Sequence, residues 1–82
     1  MKIKVRYFAS LREAIGHSKE DFESSAETVG QVRDELLAKG GVYLCLERNH
    51  SVRMALNQVM VTEDAKLVDP SELAFFPPVT GG

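Results

Sequence analysis

The sequence has no tryptophan, one cysteine and only three prolines among 82 residues. A single cysteine excludes an internal disulfide and any cysteine-rich zinc site. No segment approaches the roughly 20 consecutive apolar residues of a membrane span. The opening Met1-Lys2-Ile3-Lys4-Val5-Arg6 alternates charged and apolar side chains, unlike the apolar stretch of a signal peptide. A basic excess is also missing, since 10 basic residues meet 12 acidic ones, which argues against nucleic-acid binding. A small disulfide-free domain suits a reducing compartment. The expected setting is cytoplasmic, with no nucleic-acid and no membrane partner. No Ser/His/Asp set, no carboxylate pair at catalytic spacing and no phosphate-cradling glycine loop stands in the sequence. The chain is therefore not expected to be catalytic alone.

What is present is the composition of one ordinary globular domain, 44% apolar and 27% charged. Ile3, Val5 and Tyr7 alternate with Lys4, Arg6 and Phe8, which is strand periodicity over Lys2–Phe8. Ser10-Leu11-Arg12-Glu13 reads as a capping box opening a short helix that Gly16 stops. Lys19–Glu23 reads as a weak, charged edge strand. Thr28-Val29-Gly30-Gln31 is a second capping box, followed by Val29, Val32, Leu36 and Leu37 at helical spacing, with Gly40-Gly41 as the helix C-cap. Val42–Leu46 is apolar throughout, a short buried turn, helix or strand. Val52–Leu56 and Val59–Val61 read as strands around an Asn57-Gln58 turn. Asp69-Pro70-Ser71-Glu72 is a turn before a last strand at Leu73–Phe76. The pattern is an α+β two-layer domain with a helix on one sheet face.

The chain closes Phe76-Pro77-Pro78-Val79-Thr80-Gly81-Gly82. Pro77 and Pro78 end the sheet, because proline donates no ladder hydrogen bond. They also hold the chain extended. Gly81 and Gly82 carry no side chain, so a terminal carboxylate there suits a channel too narrow for other residues. An ionised carboxylate is a poor acyl donor and needs activation. Adenylation by ATP supplies it, and that ATP must be used by a partner enzyme.

On these residues the chain resembles the ubiquitin-like sulfur carriers, most closely the MoaD-type small subunits of molybdopterin synthases. The resemblance lies in Phe76–Gly82, in Lys4–Glu13, in the Asn57-Gln58 turn and in Asp69–Leu73. It covers essentially the whole chain. Ser18–Glu23 is more polar than the second strand of that family. The resemblance implies a β-grasp fold, a mixed four- to five-stranded sheet with one main helix packed on one face. Residues 1–76 would form that domain and residues 77–82 an extended tail. It implies an adenylating enzyme similar to ubiquitin-activating enzymes, which makes an acyl-adenylate on Gly82. A persulfide sulfur donor then converts it to a covalent thiocarboxylate. It further implies a large subunit, in a heterotetramer, that receives the tail and passes sulfur to a cyclic pyranopterin precursor. Gly82 would be the acyl carrier and Gly81 the slim approach. Pro77, Pro78, Val79 and Thr80 would lie against the partner. No bound cofactor and no metal are expected.

Strand parity proposes the docking face independently. If Ile3, Val5, Tyr7, Leu73 and Phe75 face the helix, then Phe8 and Phe76 face out. If Val59 and Val61 face in, Met60 faces out as well. Arg12 is expected nearby. Exposed aromatics, Met and Arg are typical of interfaces. Cys45 reads as a small buried hydrophobe. His17 and His50 read as surface histidines. Other acceptors for the same tail chemistry are thiazole, tRNA or amino-acid synthesis. Different classes are a protein modifier forming isopeptide bonds and a plain interaction module.

Overall fold

The computed structural model describes residues 1–78. In chain order it contains β1 (Lys2–Tyr7), α1 (Ala9–Ile15), β2 (Lys19–Glu23) and α2 (Val29–Leu37). Two short 3-10 helices follow, Gly41–Leu46 and Arg48–His50, then β3 (Arg53–Leu56), β4 (Val59–Val61) and β5 (Ser71–Phe76). The five strands form one mixed sheet in the order β2-β1-β5-β3-β4. The first and last strands are its parallel central pair, with Val5 opposite Leu73 and Tyr7 opposite Phe75. All other neighbours run antiparallel. This is the mixed sheet with helices on one face that a β-grasp requires.

Alternation builds the core. Ile3, Val5, Leu73 and Phe75 are fully buried, as are Val29, Val32 and Leu36 from α2. Leu11 and Ile15 of α1, with Leu46, Met54 and Leu56, complete the same cluster.

The Thr28 capping box forms as expected. Thr28 Oγ1 accepts from Gln31 N, and Gln31 Oε1 accepts from the Thr28 amide, each at 3.3 Å. The chain between β4 and β5 supplies further partners for the first turn of α2. Val29 N donates to Ala65 O and Gly30 N to Glu63 O, both at 2.9 Å. Amides that a helix start leaves without internal partners are thus satisfied by tertiary contacts.

Four expectations need correcting. Ser10 does not cap α1. Phe8 does, in extended conformation and without a side-chain bond. Its amide donates to Phe75 O at 3.2 Å, which keeps Phe8 in the sheet register, and its carbonyl accepts from Leu11 N. The helix therefore opens at Ala9 and Ser10 lies inside it. Gly40-Gly41 is not the cap of α2, which closes at Ala38 in a right-handed conformation. The two glycines instead take φ of 67° and 58° to turn the chain into the first 3-10 helix. That segment is not buried throughout, since Val42 and Leu44 are exposed and Leu46 is buried. Finally, β5 begins at Ser71, two residues earlier than its apolar run suggests. Asn57 extends the order there: Glu72 N donates to its Oδ1 and its own amide donates to Glu72 O, both at 2.8 Å.

Gly16 ends α1 at φ 98°, as expected. The charged strand Lys19–Glu23 forms at the sheet edge. Asn57 and Gln58 both have positive φ, the requirement of a two-residue type I′ hairpin. Among the described residues, no helix is long and apolar enough to cross a membrane.

Candidate functional site

The sheet face opposite the helices carries the residues that parity puts there. Phe8 follows β1 and Phe76 ends β5, in adjacent parallel strands. Their rings stack with centroids 4.6 Å apart and planes 8° from parallel. The Arg6 guanidinium lies 5.1 Å from the centre of the Phe8 ring, in cation–π range. Its Nη1 is 3.7 Å from Glu72 Oε1. Both phenylalanines remain half-exposed. The stack is thus a rigid, partly wet aromatic step held from one side by a cation.

Met60 shares this face but does not touch the stack's strands. It pairs with Ala55, and Ala55 pairs with Ala74 of β5. Met60 therefore sits two strand spacings from Ala74, about 10 Å. It is 55% exposed. Arg53 lies between, opposite Phe76. The face reads as aromatic step, small-residue floor and exposed methionine, with charge interleaved. That combination of aromatic, Met and Arg side chains is what protein interfaces favour.

The structure does not bring Arg12 into this arrangement. Arg12 is exposed on α1 and joins Phe8 only through its backbone amide. Its side chain makes no ion pair among the described residues. Pro77 is half-buried and Pro78 exposed. The two line a shallow groove with Ser10, Leu11, Ala14, Cys45, His50 and Val52. Val79, Thr80, Gly81 and Gly82 lie outside the described residues.

Polar order on the helix side is concentrated at Glu20. Its Oε2 accepts from Tyr7 OH at 2.8 Å and Tyr43 OH at 2.9 Å, and His17 Nε2 stands 2.9 Å away. Burial on its own would raise the Glu20 carboxyl. The hydrogen bonds from His17, Tyr7 and Tyr43 outweigh it and hold the group below its ordinary value. Burial, then the bond to Glu20, pushes the Tyr7 phenol well above the usual tyrosine range. Both groups are thus fixed in one charge state at neutral pH. Their position against the core marks them as a structural tie between β1, β2 and the first 3-10 helix.

Cys45 is half-buried beside the core, and burial pushes its thiol up. A protonated thiol is a weak nucleophile, so nothing here makes Cys45 a sulfur carrier. No group of three metal-ligating side chains gathers among the described residues.

One charged residue was not singled out by sequence reasoning. Arg33 is almost wholly buried on α2, with Nε donating to Leu46 O at 2.6 Å. Val29, Val32, Arg33 and Leu36 fall on one helical stripe, and a cation inside an apolar stripe was the available signal.

Comparison with known proteins agrees with this architecture. The sulfur carrier subunit of molybdopterin synthase from Escherichia coli is 36% identical over 80 residues, spanning 98% of this chain and 99% of that protein. The subunit of the same name from Mycobacterium tuberculosis is 38% identical over 86 residues, spanning 100% of this chain and 99% of that one. Small archaeal modifier protein 1 from Methanosarcina acetivorans, a solved structure, is 27% identical with a TM-score of 0.77. That alignment covers 99% of this chain and 96% of the archaeal protein. The model of the ThiS family matches residues 5–82, and on that near-complete match this chain belongs to the ThiS family.

Proposed function

We propose that this chain is the sulfur carrier of a molybdopterin synthase, with residues 1–76 as the docking body and residues 77–82 as the delivery tail. The observation that carries this reading is the end-to-end likeness to sulfur carrier subunits of that enzyme. The ending Phe76–Gly82 supplies the chemistry.

A Gly82 carboxylate is ionised at neutral pH. It attacks the α-phosphorus of ATP on an adenylating enzyme, and pyrophosphate leaves. A donor persulfide then attacks the acyl carbon of the adenylate, and AMP leaves. A thiol of the donor system reduces the resulting acyl disulfide and releases the thiocarboxylate, its own sulfur being oxidised to a disulfide. In the large subunit the thiocarboxylate sulfur bonds to a carbon of the pyranopterin precursor, displacing an oxygen leaving group there. Water then cleaves the resulting thioester, which leaves the sulfur on the pterin and returns Gly82 to a carboxylate. ATP is thus a co-substrate of the activating partner, and the sulfur travels covalently on Gly82.

The aromatic step of Phe8 and Phe76, with Met60 across the sheet, provides the surface on which the large subunit seats. Pro77 and Pro78 aim the chain away from β5, and Val79, Thr80 and Gly81 follow into the partner. Holding the tail in a closed channel makes sulfur delivery effectively intramolecular.

A second reading has one observation in its favour. The archaeal relative is named a modifier protein, and an acyl-adenylate at Gly82 is as open to a lysine amine as to a persulfide. Intact-mass spectrometry separates the two. The chain is incubated with an adenylating enzyme, ATP and a persulfide donor, with and without Gly82. The expected result is a mass gain equal to one oxygen replaced by sulfur, absent without Gly82 and reversed by large subunit plus precursor. Covalent ladders on lysines would favour the modifier. No gain, where a known carrier reacts, overturns the reading.

A further inference from the structure

The face that carries Phe76 and Met60 borders a cavity of about 700 Å³ beside β3 and β4, whose lining includes Arg33, Arg48, Arg53, Met60, Glu63 and Asp64. Arg33 forms its floor, since it lines the cavity with a side chain only 4% exposed. Arg48 and Arg53 are exposed and form the rim.

The floor guanidinium is incompletely used. Nε donates to Leu46 O. Nη1 stands 3.9 Å from Glu63 Oε2, too far for a hydrogen bond. Nη2 is buried and has no partner among the described residues. Glu63 is not free to move in. Its Oε1 is taken by Arg48, whose Nη1 in turn holds Asp34 Oδ1 at 2.8 Å. Its backbone is fixed as well, because Gly30 N donates to Glu63 O at 2.9 Å. Even a Cβ on Gly30 would come within 2.9 Å of the Glu63 Cβ. A buried guanidinium nitrogen is thus left without a partner by a neighbourhood that is itself tied down, and such a group is costly unless something completes it.

We propose that this cavity is a carboxylate subsite, in which the guanidinium of Arg33, with Arg53 at the rim, receives an aspartate or glutamate side chain of the protein docked on the aromatic face. A carboxylate fits for two reasons. Its planar pair of oxygens matches a guanidinium edge. Its single charge also matches the one positive charge left when Glu63 and Asp64 are set against Arg33, Arg48 and Arg53, whereas a doubly charged phosphate exceeds it. The source follows from continuity. Met60 belongs to both the cavity lining and the open face, and Arg53 stands opposite Phe76 in the ladder. Only the identity of the docked protein rests on the function proposed above.

The test uses the chain alone. Its Arg Nε–H and backbone amide signals are followed by NMR while acetate, inorganic phosphate or chloride is added at matched ionic strength. Acetate is expected to shift Arg33 Nε–H and the amides of residues 61–64 saturably. Half-saturation at roughly tens of millimolar suits a ligand of four heavy atoms. Chloride is expected to do nothing at these signals. Arg53→Gln raises the half-saturation about threefold, the scale of an exposed ion pair. Arg33→Lys abolishes saturation, and Arg53→Gln keeps the proposal testable if that variant fails to fold. Shifts that are linear, or that chloride reproduces, overturn it. Saturation by phosphate without acetate also overturns it. Purified large subunit is then expected to displace acetate from Arg33, and binding that leaves acetate in place overturns the assigned source. The titration needs neither Gly82 nor ATP, so its failure and that of the sulfur reading are told apart.

Discussion

Phe75 and Phe76 are chain neighbours on one strand with opposite fates. Phe75 points to the helices, is fully buried and stacks with Tyr7 at 6.0 Å between centroids. Phe76 points to solvent and stacks with Phe8 at 4.6 Å. Both rings pair with an aromatic from β1 or the residue just after it. What differs is what lies beyond the pair: a closed apolar cluster for one, water for the other. The comparison separates residues that hold the fold from residues held ready by it, within one step of the chain.

The largest expected effect breaks the buried half. Phe75→Ala should cost about 3–5 kcal/mol of stability through lost burial and a cavity. That is a large share of the roughly 5–15 kcal/mol typical of a domain, and denaturant unfolding reads it. Phe76→Ala should cost only about 1 kcal/mol, the scale of an aromatic pair. It should nevertheless weaken large-subunit binding by tenfold or more in calorimetry, as a central interface aromatic does. Equal stability losses for the two would dissolve the distinction.

The smallest effect concerns the polar edge of the buried half. Glu20 has a folded pKa below its ordinary value. Its contribution is therefore complete above that ordinary value and is lost as pH falls through the folded one. Stability should fall on acidification below about pH 4.3, the usual glutamate value. Glu20→Gln should flatten that limb while leaving Phe76-dependent binding intact. Urea midpoints measured across pH 2–7 check it, and an unchanged acid slope would remove Glu20 from the account.

Where side-chain alternation was strong, the sequence was enough. Ile3, Val5 and Tyr7 on β1, and Leu73 and Phe75 on β5, announced one buried face, and so placed Phe8 and Phe76 on the other. Met60 was placed by Val59 and Val61 facing in, yet Val59 is exposed at the sheet edge, and it is the pairing of Met60 with Ala55 that fixes its face. The stack itself was not legible, because it depends on the parallel register of the first and last strands, set across the length of the chain. The same long-range pairing explains the missed cap. A bond from Phe8 N to Phe75 O overrides the local preference of Ser10. Arg33 escaped notice for a similar reason. Its partner is the Leu46 carbonyl in a 3-10 segment, and no local spacing signals such a contact. Arg12 shows the limit of proximity in sequence, since it follows Phe8 by four residues yet its helix leaves the face that Phe8 occupies.

The central position of β5 also has a mechanical consequence. The strand that leads to Pro77 is hydrogen-bonded along both edges, to β1 on one side and β3 on the other. A pull applied beyond Pro78 along this strand loads both ladders in shear. The bonds of each row then share the force and do not open one at a time, as they would if a hairpin were peeled from its end. Load arriving at Pro78 is therefore resisted by two ladders at once, and the domain holds together at the strand that is being pulled.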